Sequence, residues 1–154
     1  MKFSISRLNT FLMLRLPAAW ICGVRLAQLS ADTAQARVRH RWINQNPFGS
    51  MYFAVQLMAA ELTTGVLVMR AIREAGVPVS MLVASCEASY QKKATGKITF
   101  SCDQGELVQQ SVTEASKTDT PVIVTLFSRG RNAAGEQVAE MKFEWTLKQR
   151  VNNR

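Results

Sequence analysis

Histidine is almost missing from this chain: one residue, His40, in 154. A single imidazole excludes multi-histidine metal sites and leaves zinc without a ligand set. Cysteine is scarce too, at three. Cys22, Cys86 and Cys102 are far apart and form no C-x-x-C pair. That spacing excludes a disulfide framework and suits a reducing cytoplasm. Cys86 and Cys102 fall inside apolar alternating stretches, where a thiol is expected to behave as a small hydrophobe. No G-x-S-x-G elbow is present, which argues against a serine hydrolase, and no phosphate-binding glycine loop of the Walker or dinucleotide type occurs. Acidic residues are few, eleven against nineteen basic, for a net charge of +8. The surplus favours an anionic partner or simply solubility. There is no low-complexity linker and no internal repeat.

What is present is one domain's worth of chain with a real core: 47% hydrophobic and 19% charged residues. The start, MKFSISRLNTFLMLRLPAAWICGV, imitates a secretory leader. Arg15 and Pro17 interrupt the apolar stretch such a leader needs, so a cytoplasmic location is expected. Residues 5–29 read instead as two short helices broken at Leu16-Pro17, forming an N-terminal extension over residues 1–30. They pack on the main body, with a membrane-surface role as the alternative.

The one long apolar run, MYFAVQLMAAELTTGVLVM, has the length of a membrane span. Glu61 at its centre would cost about 2.5–3.5 kcal/mol there, so a helix buried in protein is the better reading, with no membrane span. It runs from about Ser50 to Glu74 and stops at Gly76-Val77-Pro78. Before it, ARVRHRW alternates as a strand with Ala36, Val38, His40 and Trp42 inward and Arg37, Arg39 and Arg41 outward. His40 is read as a satisfied core residue. After the helix the period becomes two, giving strands over 79–90, 97–103, 121–129 and 137–148, and a short helix over 104–116. The tail RVNNR is read as frayed. The order is strand, buried helix, then four strands. An antiparallel sheet of five or six strands wrapped round one helix would satisfy it, in an α+β domain over residues 31–154. A second subunit could close what the sheet leaves open.

That order, with Asn46-Pro47-Phe48-Gly49 opening the helix, resembles the hotdog fold. More narrowly it is similar to the PaaI-type acyl-CoA thioesterases and a poorly characterised bacterial branch beside them, over roughly residues 34–148. The family pattern N-x-x-G-x-x-H-G-G carries an acid twelve residues after its first glycine. Asn46, Gly49 and Glu61 match it. Gly135-Glu136-Gln137-Val138-Ala139 matches a later G-x-x-V-A motif, and the turn KKATG resembles a Pro-Ala-Gly-type turn. Tyr52-Phe53-Ala54 replaces His-Gly-Gly, and glutamate replaces the usual aspartate.

The resemblance implies a thioesterase acting on an acyl-CoA or acyl-carrier thioester, with coenzyme A as part of the substrate and no other cofactor. Its catalytic positions fall on Glu61, Asn46, Gly49 and Phe53. Glu61 would activate water, the Phe53 N–H would stabilise the oxyanion, and Asn46 would orient water or the carbonyl. N–H groups at Tyr52, Phe53 and Ala54 all fall in the first turn expected for this helix. Glu61 lies about 12 Å further along the same helix. It cannot serve the oxyanion hole at its own helix start; in the enzymes this chain resembles the acid reaches across a two-fold interface, so the resemblance implies a homodimer, or a dimer of dimers. Phe48, Tyr52 and Met58 are candidates to line the acyl pocket. Lys92, Lys93, Arg129 and Arg131 lie in turns where they could grip phosphates. The alternatives are a catalytically silent hotdog module that binds acyl thioesters or a partner protein and, on charge alone, a nucleic-acid binder. No stacking stripe or helix-turn-helix pattern supports the last, so no nucleic-acid partner is expected.

Overall fold

The computed structural model describes residues 4–150. Apart from Arg150, the tail expected to fray lies outside the described residues. The elements are α1 (Ile5–Arg15), α2 (Pro17–Ile21), β1 (Arg25–Leu29), β2 (Ala34–Arg39), α3 (Phe53–Ala75), β3 (Val79–Tyr90), β4 (Lys97–Cys102), α4 (Gly105–Ala115), β5 (Val122–Arg131) and β6 (Gln137–Gln149). Six antiparallel strands form one sheet in the order β1-β2-β4-β5-β6-β3. α3 lies in its concave face with α4 beside it. This is the hotdog architecture, with added N-terminal helices.

Alternation builds the sheet. Ala139, Met141, Phe143, Trp145 and Leu147 of β6 are buried while their neighbours Glu140, Lys142, Glu144 and Thr146 are half-buried. Ile98, Phe100 and Cys102 repeat the pattern on β4. Gly130 lies opposite Phe100 in the β4–β5 ladder, where a Cβ would come 2.5 Å from the ring. A side chain at 130 and a phenylalanine at 100 exclude each other.

α3 is long and apolar enough to cross a membrane by length and composition, yet 61% of its most apolar window is buried inside the protein. Gly76, at φ 64°, ends it in the left-handed conformation that glycine adopts without strain. Two polar clamps tie its middle to the sheet: the Thr63 and Ser128 hydroxyls meet at 2.8 Å, and Trp145 Nε1 donates to Thr64 Oγ1 at 3.0 Å. Enclosure is not complete. Ala54, Leu57, Met58, Glu61 and Leu62 form a half-buried stripe at helical spacing.

Four expectations need correcting. The helical reading of 5–29 stops at Ile21, because Gly23 (φ 89°) turns the chain and residues 25–29 become the edge strand β1. The Asn9 carboxamide clamps β1 from α1, donating to the Leu26 carbonyl and accepting from the Leu26 N–H, both at 2.9 Å. β2 ends at Arg39, and Trp42 begins a single 3₁₀ turn with its side chain 80% exposed rather than inward. α3 starts at Phe53, three residues later than the apolar run suggests, because Met51 pairs with Gln45 in an isolated bridge. Cys86 is exposed, since β3 is the sheet's outer strand; Cys102 is buried as expected. Arg37, Arg39 and Arg41 do face solvent.

Candidate active site

The loop 46–50 is organised by its own asparagine. Asn46 Oδ1 accepts from the N–H groups of Phe48 at 2.9 Å and Ser50 at 3.2 Å, and Nδ2 donates to Ser50 Oγ at 3.0 Å. This is an Asx turn, the local use that favours Asn in loops. Gly49 supplies the left-handed residue, φ 75°, with open space where a Cβ would stand. Lys93 Nζ donates to the Phe48 carbonyl at 2.9 Å and holds the loop from the β3–β4 side. The carboxamide of Asn46 thus shapes the entrance to α3.

At that entrance Tyr52 donates its N–H to the Asn44 carbonyl at 2.8 Å, so it is no longer available to a ligand. Val55 and Gln56 turn back to the Tyr52 carbonyl. The N–H groups of Phe53 and Ala54 donate to no described residue. Two unsatisfied amides at the positive end of a 23-residue helix are an oxyanion-binding arrangement. Phe53, though not Ala54, lines an open cleft of about 600 Å³, within the size range of small-molecule sites. Asn46, Phe48, Tyr52, Phe53, Lys92 and Lys93 all line it, together with Gln56 and Tyr90. The rings of Tyr52, Phe53 and Tyr90 meet edge to face, with centroids 4.9 and 6.2 Å apart. Six residues named from the sequence come together here.

Met58, Arg129 and Arg131 do not line this cleft. Met58 lies on the half-buried stripe of α3. Arg129 pairs with Glu140 at 2.7 Å, and Arg131 donates to the Gly135 carbonyl at 2.9 Å. Lys92 lines the cleft but is bonded to Glu136, whose carboxyl it holds below the usual range with help from Asn132.

Glu61 stands apart from the cleft. Its carboxyl receives no hydrogen bond from any described residue. Thr64, the obvious neighbour, donates to the Glu61 backbone carbonyl at 3.0 Å, and Thr63 is committed to Ala60 and Ser128. Burial pushes the Glu61 pKa up, with no charged partner to offset it. The side chain borders an apolar cavity of about 80 Å³, several times the roughly 10–15 Å³ that one water-sized sphere occupies. Leu8, Phe11, Leu12 and Leu16 of the N-terminal helical hairpin roof it, and Leu62, Val66 and Met81 form its floor. Oε1 also lies 3.1 Å from where a Cβ on Gly65 would stand, so that glycine leaves room for the acid. No sequence signal tied residues 8–16 to Glu61; that proximity is purely tertiary.

His40 Nε2 is buried with no partner, so the histidine is not the satisfied core residue expected. Among the described residues no three His, Cys, Asp or Glu side chains group to hold a metal.

A family model described as a domain of unknown function, DUF4442, matches residues 6–147. The chain belongs to the DUF4442 family. The match takes in the N-terminal helices as well as the sheet and α3. No curated protein matches this DUF4442 chain. Solved structures do. A Pseudomonas aeruginosa protein of unknown function, PA5026, named a probable thioesterase, is 23% identical with a TM-score of 0.82, over 97% of this chain and 99% of that one. A Chlorobaculum tepidum protein of unknown function is 14% identical, TM-score 0.81, over 94% of each. The Haemophilus influenzae thioesterase HI1161 is 14% identical, TM-score 0.71, over 100% of this chain and 96% of that one. At these identities the likeness shows that this chain shares their fold.

Proposed function

We propose that this chain hydrolyses acyl thioesters of coenzyme A or an acyl carrier, as a homodimer whose two sites each join the α3 start of one protomer to Glu61 of the other. One observation carries the reading: a half-buried carboxyl group with no hydrogen-bond partner among the described residues borders an apolar cavity, about 12 Å of helix away from the free Phe53 amide at a cleft. One chain holds both halves too far apart for a single thioester. Two structural relatives, PA5026 and HI1161, are named as a probable thioesterase and a thioesterase, which agrees with the chemistry. Two surfaces favour a second copy: the half-buried Ala54, Leu57 and Met58 of α3, and the free edge of β3, twelve residues long. An exposed strand edge of that length pairs unless something protects it. Pairing of two such dimers would give a dimer of dimers.

Ionised Glu61 takes a proton from water, and the oxygen attacks the thioester carbonyl carbon. The developing oxyanion accepts hydrogen bonds from the Phe53 and Ala54 N–H groups of the other protomer. Collapse breaks the C–S bond, and the thiolate leaves with the proton Glu61 holds. Burial suits this role because a raised pKa makes the carboxylate a better base near neutral pH. The cavity beside it fits the aliphatic part of an acyl group. Lys92 and Lys93 supply positive charge at the cleft's rim.

A second reading, a silent module that binds thioesters without cleaving them, is favoured by Phe53, whose side chain is 52% exposed at the cleft where the PaaI-type pattern has glycine. One assay separates them. Purified protein and Glu61→Gln are tested against short, medium, long and aromatic acyl-CoAs, with size measured by light scattering. Turnover that falls about 10²–10⁴-fold in the variant supports hydrolysis. Binding without turnover across the panel selects the silent module, and a monomer at working concentration refutes the shared site.

A further inference from the structure

Gln56 belongs to neither the loop motif nor the acid, and α3 buries it to 4% exposure one turn from its start. Its Nε2 reaches only the Met51 carbonyl, at 3.4 Å, and its Oε1 is sealed from solvent with no partner among the described residues. Turning the amide over does not help, because it would set oxygen against the Met51 carbonyl, which can only accept. A buried acceptor without a donor is rare and destabilising. A leucine or methionine would fill the same place without that cost. Yet the side chain lines the same cleft as Asn46, Tyr52 and Phe53. A donor carried into the cleft beside Gln56 would satisfy it.

The position says what kind. Phe53 and Gln56 both border the cleft and are three residues apart, about 4.5 Å of helical rise. A thioester whose carbonyl oxygen meets the Phe53 N–H places its sulfur beside that turn. In the cysteamine unit shared by coenzyme A and carrier proteins, two methylenes link the sulfur to a secondary amide, a comparable span. We infer that Gln56 is a substrate-binding residue whose side-chain oxygen accepts this amide N–H. The site thereby selects pantetheine thioesters over simple thiol esters. The inference rests on the thioesterase reading and adds recognition of the thiol half, where the acyl half is already served by the apolar cavity.

The test pairs an acyl N-acetylcysteamine thioester with a matched thioester in which a methylene replaces the amide N–H. In the natural protein the amide-free substrate should have a KM about tenfold higher, the size of one ordinary hydrogen bond. Gln56→Leu should raise KM about tenfold on the amide substrate, leave the amide-free one unchanged and alter kcat little. Its thermal midpoint should stay level or rise, since an orphaned acceptor is removed; Gln56→Met replaces it if the leucine variant does not fold. Equal losses on both substrates would mean that Gln56 positions water instead, and no loss on the amide substrate would mean that it binds nothing; either overturns the inference. Should the natural protein cleave no thioester, the hydrolase reading fails by itself. Calorimetric binding of coenzyme A then decides this contact: tenfold weaker binding in Gln56→Leu supports it, and equal binding or none refutes it.

Discussion

Thr63→Val isolates the clamp that holds α3 against the sheet. The Thr63 hydroxyl has one proton and donates it to the Ala60 carbonyl at 2.7 Å, because that oxygen can only accept. Ser128 must then be the donor in the 2.8 Å contact with Thr63 Oγ1. Both residues are fully buried. Valine keeps the shape of threonine but leaves the Ser128 O–H with no acceptor, at a cost of about 1–3 kcal/mol. Ser128→Ala removes the donor instead and leaves Thr63 still bonded to Ala60, at about 0.5–1.5 kcal/mol. With both changed no hydroxyl proton is stranded, so the double variant should cost less than the sum of the singles by about 1 kcal/mol. In a chain of 154 residues each kcal/mol moves the midpoint by about 2–4 °C, so Thr63→Val should melt about 2–12 °C lower. Urea unfolding of all four proteins at one fixed concentration measures the cycle, since a dimer's stability depends on concentration. Strict additivity, or a Ser128→Ala loss larger than that of Thr63→Val, refutes the assignment of the protons.

Three further outcomes follow from other sites. Burial raises the Glu61 pKa, so the folded chain holds a proton that the unfolded chain releases near pH 4, and stability falls as pH rises from there through the folded value and is level beyond it. The melting advantage of Glu61→Gln over the natural protein should therefore grow with pH from about 4 and then plateau; a constant difference would contradict a buried, unpaired acid. Gly105→Ala should destabilise by about 1–3 kcal/mol or more by thermal melting, because its Cβ would stand 2.0 Å from the Ala31 carbonyl oxygen. Cys86 should react with an aromatic disulfide reagent at about pH 8. Cys102, buried and pushed up to about 11, should stay silent until the chain unfolds.

Much of this fold is legible in the residues because period and punctuation agree. β3, β4, β5, β6 and α4 fall within about two residues of where alternation and turn residues put them. The loop residues Asn46 and Gly49 also announce themselves, since an Asx turn and a positive φ are local demands. β1 escaped because RLAQL is short and follows a helix, and its strand character comes from β2 and from the Asn9 clamp. Trp42 escaped because alternation continues past Arg39 while the backbone turns. The candidate site divides the same way. The cleft is built from two short stretches, 46–56 and 90–94, each with its own loop signals, so most of its members could be named. The isolation of Glu61 from Thr63 and Thr64, the cavity above it and the orphaned Gln56 oxygen all depend on contacts between distant segments, and no local pattern encodes them.

The roof over Glu61 has a practical corollary. Four of the side chains that wall in this carboxyl group come from the first sixteen residues. A polypeptide begun downstream of Leu16 would retain the whole loop-and-helix signature and still lose part of the apolar surroundings of Glu61. Residues that look expendable by motif matching therefore help to set the environment of the acid in the longest helix.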